Sequence, residues 1–261
     1  MFIDVHCHLS QPVFDGRHAD VLQRARDKGV RLVVTMGEHY EDNLKVLELA
    51  DKYDMVAAGL GHHPEYVDSE SAQKSLALLE SRHQHVCCVG EIGLDHYKVR
   101  DAKQRDIQAG ICREFLQMAQ RYSLPVSVHS RSAGRAALAL IGTCNLSVPV
   151  NMHAFSGKAG VAADYANNHG VFFSLPGSIF YSRQKYKLLR LLPLSQMLFE
   201  TDSPVMSPIK GQGNEPANLA MIAREIADKR HMQPGELTQQ VWRNSLRYLG
   251  LEQADFDHPR P

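Results

Sequence analysis

The chain predicts an α/β fold of the (β/α)8 type, a TIM-like barrel in a single domain, and three observations carry that expectation. Short β-rich runs alternate with longer segments of helical period from one end of the sequence to the other. Most of these runs are near-continuously apolar, as parallel strands covered on both faces require. The length, 261 residues, also suits the ~250 residues such a barrel needs.

The runs are Phe2–Val5, Val30–Met36, Met55–Leu60, His85–Val89, Pro125–Val128, Val148–Met152, Gly170–Ser174 and Gln196–Phe199. Between them the pattern predicts helices over Arg17–Lys28, Glu41–Lys52, Ala72–Arg82, Asp106–Arg121, Ala133–Ile141, Ala159–Asn168 and Arg183–Leu191. Gly29 is a natural stop for the first of these. In Asp106–Arg121 the residues Ile107, Ile111, Phe115 and Met118 fall on one helical face. Pro216–Lys229, with proline suited to a first turn, and Gly235–Leu249 follow the last run. A doubly wound open sheet would want a Gly-rich phosphate turn after an early strand, and none is present. Residues 1–251 are thus expected to form the barrel, and residues 252–261, polar with two prolines, a loose tail.

Composition narrows the function classes. The chain is 44% hydrophobic and 22% charged, ordinary for a globular protein. Lys plus Arg equals Asp plus Glu at 29 each, so no global field advertises a duplex-binding or membrane-binding surface. A phosphate-bearing substrate stays open, because a metal site supplies positive charge locally. The cysteines Cys7, Cys87, Cys88, Cys112 and Cys144 are odd in number and form no C-x-x-C pair, and Cys87 and Cys88, inside an apolar run, read as buried free thiols. No leader is recognised before Phe2, and no apolar run approaches the ~18 residues of a membrane span. A cytoplasmic protein is expected, without an obligate protein partner.

The chemistry lies where the runs end. In a barrel those positions line one mouth. The first run ends in His6-Cys7-His8, and residues at i and i+2 of a strand share a face, so both imidazoles can reach one ion. Later runs end in Gly61-His62-His63-Pro64, Gly90-Glu91-Ile92-Gly93-Leu94-Asp95, His129-Ser130-Arg131, His153-Ala154-Phe155-Ser156-Gly157 and Glu200-Thr201-Asp202-Ser203-Pro204. Singly each residue has a bland reading. His129 and His153 could be core histidines, Asp202 could hold its turn, Arg131 could make a rim ion pair, and His62 reads as structural. Jointly, His6, His8, Glu91, His129, His153 and Asp202 suit two divalent ions with Glu91 as the bridging carboxylate and Asp202 as partner of the attacking water. Such mixed nitrogen and oxygen ligands accept Zn, Mn, Fe or Ni, and Mg less well.

These motifs, with Asp4-Val5-His6-Cys7-His8-Leu9 and Asn214-Glu215-Pro216, resemble the TatD family of metal-dependent DNases from Met1 to about Leu249. The Ser127–Arg135 run and Ala154 look closest to the TatD DNase domain-containing protein three branch. The resemblance implies a TIM-like barrel with an amidohydrolase-like metal site at its C-terminal mouth. It implies a first ion on His6, His8, Glu91 and Asp202, and a second on Glu91, His129 and His153. His63 and Arg131 become candidates for substrate phosphate contact, with His63 also supporting catalysis. The implied activity is DNA phosphodiester hydrolysis, often from a 3′ end, on single-stranded or fraying DNA, with RNA as a further candidate. Two positions depart from many relatives. Ala154 stands where cysteine is common, and Gly213 where a basic residue precedes Asn-Glu-Pro, which leaves Lys210 or Arg131 to supply that charge. The alternative is an amidohydrolase acting on a small phosphoester, lactone or amide, although those enzymes often bridge their metals with a carboxylated lysine where this chain has Glu91. A metal-binding scaffold without catalysis is the third reading.

Overall fold

The computed structural model describes residues 1–257. Eight parallel strands lie in sequence order in one sheet: β1 Phe2–Cys7, β2 Val30–Met36, β3 Val56–Leu60, β4 Cys88–Gly93, β5 Val126–His129, β6 Val150–Met152, β7 Phe172–Leu175 and β8 Met197–Phe199. The helices between them are α1 His18–Asp27, α2 Tyr40–Lys52, α3 Ser69–Arg82, α4 Ala102–Tyr122, α5 Gly134–Thr143, α6 Ala159–His169 and α7 Arg183–Leu191. After β8 come α8 Leu219–Arg230, α9 Pro234–Leu249 and the one-turn α10 Ala254–Asp257. This is the (β/α)8 barrel the alternation predicts. The segment expected to be a loose tail is docked in its described part. Trp242 Nε1 donates to Gln253 Oε1 at 2.7 Å and its ring meets Phe256 edge-on. Residues 258–261 lie outside the described residues.

Two layers of core follow from strand alternation. The larger one packs the helices onto the sheet and contains Cys7, Val33, Val89 and Phe115. The smaller one gathers Ile3, Val5, Leu32, Val34, Met36, Cys88, Phe172 and Leu198 against Trp242, Leu246, Tyr248 and Leu249 of α9. All five cysteines are free thiols, Cys87 and Cys88 as expected, and burial pushes Cys88 up to about 12.

One helix face needs correction. Ile107 is 43% exposed, and α4 buries Gln108, Ile111, Cys112, Phe115, Leu116 and Ala119 instead. The reason is polar: Gln108 Nε2 donates to Pro64 O at 2.6 Å, and its Oε1 accepts from Asp95 N at 3.1 Å. A buried amide that ties down two mouth loops has displaced an apolar side chain from the core face.

The seam between β8 and β1 is held by one buried carboxylate and by two backbone hydrogen bonds. Asp4, fully buried, accepts from Thr201 N at 2.9 Å on Oδ1 and from Thr201 Oγ1 at 2.5 Å on Oδ2. Asp202 N donates to His6 O at 3.0 Å and His8 N to Ser203 O at 2.8 Å, which fastens the end of β8 to the end of β1. Burial pushes the Asp4 carboxyl up to about 8 against the pull of these hydrogen bonds. Removing the side chain strands buried donors on Thr201. Asp4→Ala should therefore lose about 3 kcal/mol of stability, read from urea unfolding; a loss under ~1 kcal/mol would show that the seam is held by other contacts.

Candidate metal centre

Local irregularity aims the site's side chains. The β1–β2 register shifts between Asp4 and Cys7, and the β4–β5 register shifts between Val89 and Ile92, across the cis Gly90–Glu91 peptide. Bulges of this kind re-aim side chains beside functional sites. They turn His6, His8 and Glu91 into the mouth, while Cys7 points the other way with Sγ toward Val34 O. Glu91 thus lies inside β4, which was expected to end at Val89. Gly61 makes room for it: a Cβ there would stand 2.5 Å from Gly90 C and 2.6 Å from Glu91 N. Asp202 adopts a left-handed φ of +54°, tolerable for aspartate.

The structure brings His6, His8, His63, Glu91, His129, His153 and Asp202 together. Around Glu91 Oε2 lie His8 Nε2 at 3.4 Å and His6 Nε2 at 3.5 Å, and Asp202 Oδ1 is 3.5 Å from His8 Nε2 and 3.9 Å from His6 Nε2. Around Oε1 lie His129 Nδ1 at 2.5 Å, His153 Nε2 at 2.7 Å and His63 Nε2 at 3.7 Å. The two oxygens of one carboxylate therefore face two different sets of partners. The rings of His6 and His153 stack between the sets, 3.8 Å apart and 4° from parallel.

Partners behind the rings decide which nitrogens carry lone pairs. His8 Nδ1 donates to Met36 O at 3.2 Å, so its neutral ring presents a bare Nε2 to His6 Nε2 at 3.3 Å and to the two carboxylates. His129 Nε2 donates to Asp95 Oδ2 at 3.1 Å, so its bare Nδ1 faces Glu91 Oε1 and, at 3.3 Å, His153 Nε2. Acceptors set this close, buried and without hydrogens between them, repel unless cations or protons fill the gap. The donor set fits divalent metals, and three groups have ligand atoms within 4.8 Å of one another: His6, His8 and Glu91; His6, His153 and Asp202; His63, Glu91 and His129. His63 differs in tautomer. Its Nδ1 accepts from Glu65 N at 3.1 Å, so Nε2 carries the proton and offers an N–H to the mouth.

The ionisation of the cluster follows the same logic. Burial would raise Glu91, but His153, His63 and His129 hold its carboxyl well below the usual range. Burial would lower His8, His129 and His153, yet facing carboxylates outweigh it and raise all three, His153 to about 10. Burial wins at His6, which is lowered, and at His63, lowered to about 3. Without metal, protons therefore supply the positive charge, and an incoming cation must displace them. Calorimetric Zn²⁺ titration at pH 7 in two buffers of different ionisation enthalpy should show about one proton released per ion bound. Release of none would mean that the histidines are already neutral.

Arg131 does not join the inner cluster. It is exposed at the rim, with its guanidinium 4.0 Å above the Tyr97 ring rather than in an ion pair. Lys210 lies over the Tyr181 ring at 4.9 Å, and His62 is structural, its Nε2 bonded to Tyr66 O at 2.8 Å. Asn214 donates to Thr201 O and Val205 O, both at 2.7 Å, and Glu215 holds Arg24, so that motif braces the loop after β8.

Sequence reasoning missed the supporting shell. Asp95 orients His129, Ser127 Oγ lies 2.8 Å from His6 Nδ1, and Glu200 accepts from Ala154 N at 2.8 Å while standing 3.7 Å from His153 Nδ1. Such outer partners fix ring orientation in metal sites. Asp95 and Glu200 stand within the quoted motifs, four and two residues from Glu91 and Asp202. Lys185 lacked that company, although it shares a helical face with Leu188 and Leu189. It is 5% exposed, lines the mouth, and donates from Nζ to Ala154 O and to Phe155 O, the latter at 2.7 Å. Burial lowers it to about 8, against the attraction of Glu200 and Asp202. Lys185→Met should cost about 3 kcal/mol in a thermal melt, since two carbonyls lose a charged donor; an unchanged Tm would assign that turn to other contacts.

Barrel and buried histidine–carboxylate cluster together define a metal-dependent hydrolase. Residues 3–250 match the family model described as TatD related DNase. The human deoxyribonuclease TATDN3 is 35% identical, over 94% of this chain and 93% of its own. An uncharacterized metal-dependent hydrolase of Methanocaldococcus jannaschii is 30% identical, over 95% and 96%. Among solved structures, the TatD homologue YjjV of Escherichia coli aligns with a TM-score of 0.88 and 31% identity, covering 99% of this chain and 98% of that one. The chain belongs to the TatD family.

Proposed function

We propose that this hydrolase cleaves DNA phosphodiester bonds stepwise from a 3′ end, on single-stranded or fraying strands, at a site for two divalent ions. His6, His8, Glu91 and Asp202 would hold the first ion, and Glu91, His129 and His153 the second. The observation that carries the reading is the division of Glu91's oxygens between two separate sets of lone pairs. The human relative is named a deoxyribonuclease. Bound there, the ions supply charge that makes water acidic near neutral pH and that offsets charge building on the phosphate.

The chain's own groups supply the remainder. Asp202 is held ionised by His8, His153 and His6 against burial, so its carboxylate can orient the attacking water and accept its proton. His63 donates its Nε2–H to a phosphate oxygen, a role its tautomer suits. Arg131, laid flat on Tyr97, presents a planar fork to the next phosphate. The mouth, about 730 Å³, has the size of a small-ligand site and takes a strand end better than a duplex laid lengthwise. The cytosol is the proposed location; five unpaired thiols fit it, and no helix among the described residues is long and apolar enough to cross a membrane.

The test uses metal-stripped protein resupplied separately with Mg²⁺, Mn²⁺ or Zn²⁺, on DNA and RNA single strands labelled at either end. Stepwise shortening from the 3′ end is expected, falling by about 10³-fold in Asp202→Asn, while Glu91→Ala should lose bound metal and activity together. Intact oligonucleotides under every metal would overturn the nuclease reading and favour a small phosphoester, lactone or amide.

A further inference from the structure

We propose that a basic groove beside the mouth holds the body of a single-stranded polynucleotide whose end lies in the site. The identity of the polymer rests on the nuclease reading above; the groove itself does not. About 850 Å³ in volume, it lies where the start of α6 meets the outer face of α7. Lys158 lines one side. Arg183, Lys187 and Arg190 line the other at i, i+4 and i+7, one stripe of a helix. At ~1.5 Å rise per residue the stripe is about 10 Å long, room for about three phosphates at the ~3.4 Å rise of a stacked strand.

These four side chains are exposed, and among the described residues none makes an ion pair or a side-chain hydrogen bond. No carboxylate lines the groove, and the chain has none between Asp164 and Glu200. In a protein of zero formal net charge, this is a local and uncompensated positive field. The groove also adjoins the mouth. Gln184 lines both, and its Nε2 donates to Gly157 O at 2.8 Å, so one side chain forms the rim between them. Because helix N-termini in this barrel follow the strand ends that form the mouth, Arg183 is the nearest of the stripe and Arg190 the farthest. A strand leaving the site over Gln184 meets these cations in order. An acidic peptide would feel the same charge, but the junction with a phosphate-cleaving mouth favours a phosphate backbone.

The experiment measures anisotropy of labelled phosphorothioate single strands of 5, 10 and 15 nucleotides on the metal-loaded protein, beside turnover of bis(p-nitrophenyl) phosphate. Arg183→Gln, Lys187→Gln and Arg190→Gln together should weaken the longest strand by at least about tenfold. The log–log salt slope should fall by about 2, near ~0.7 per lost phosphate contact. Small-diester turnover should not change. The equal charge loss Lys28→Gln, Lys45→Gln and Lys52→Gln, on the far side of the barrel, should leave all three readings alone. An unchanged salt slope in the α7 variant, an equal loss in the control, or competition by polyglutamate as strong as by the oligonucleotide would overturn the proposal. Groove-dependent binding by a protein that cuts no oligonucleotide would support the groove and sink the nuclease reading instead.

Discussion

Everything in this molecule answers to one buried carboxylate. Glu91 is 2% exposed, ionised, and surrounded by imidazole nitrogens and a second carboxylate at distances where lone pairs oppose one another. A folded chain keeps such an arrangement only if positive charge completes it. Protons can do so, as the raised His8, His129 and His153 indicate, and the same ligand atoms could instead hold metal ions. The same constraint explains the irregular strands around it. A regular β4 would turn this side chain by strict alternation, and the break in register between Val89 and Ile92 removes that restriction.

The remainder of the mouth keeps those groups from relaxing apart. Asp95 and Met36 O each accept a hydrogen bond from one ring nitrogen, which turns the opposite nitrogen of that ring toward the mouth. Gln108 ties the loop after His63 to the loop carrying Asp95, and Lys185 pins the turn after His153 by two carbonyls. Each brace spans segments distant in sequence, so the site's precision is a property of the closed barrel rather than of any one loop. His63 stands apart because the Glu65 N–H occupies its Nδ1 and so leaves the proton on the mouth-facing Nε2, unlike the candidate ligands around it.

Much of this was legible in the chain. Parallel strands buried on both faces announce themselves as apolar runs, and seven of the eight begin within two residues of their expected starts, β4 three later. The inner side chains were legible because their types are costly to bury and recur at strand ends: His6, His8, His63, Glu91, His129, His153 and Asp202 all converge. What sequence pattern missed depends on three-dimensional crossing. Ile107 looked like core, and Gln108 beside it was chosen by two loops that helical periodicity does not describe. No sequence pattern marks Lys185, and only the carbonyls it meets in the fold explain its burial. Arg131 was visible as a basic residue, but its place on the Tyr97 ring required the fold.

The seam between β1 and β8 also carries a consequence for synthesis. Asp202 and the Thr201 that grips Asp4 are made nearly two hundred residues after His6 and His8. Contacts of such separation form late, because the loop they close is long. A nascent or truncated chain therefore has its histidines without the carboxylate that completes their cluster. The cluster is complete only once the whole barrel has closed.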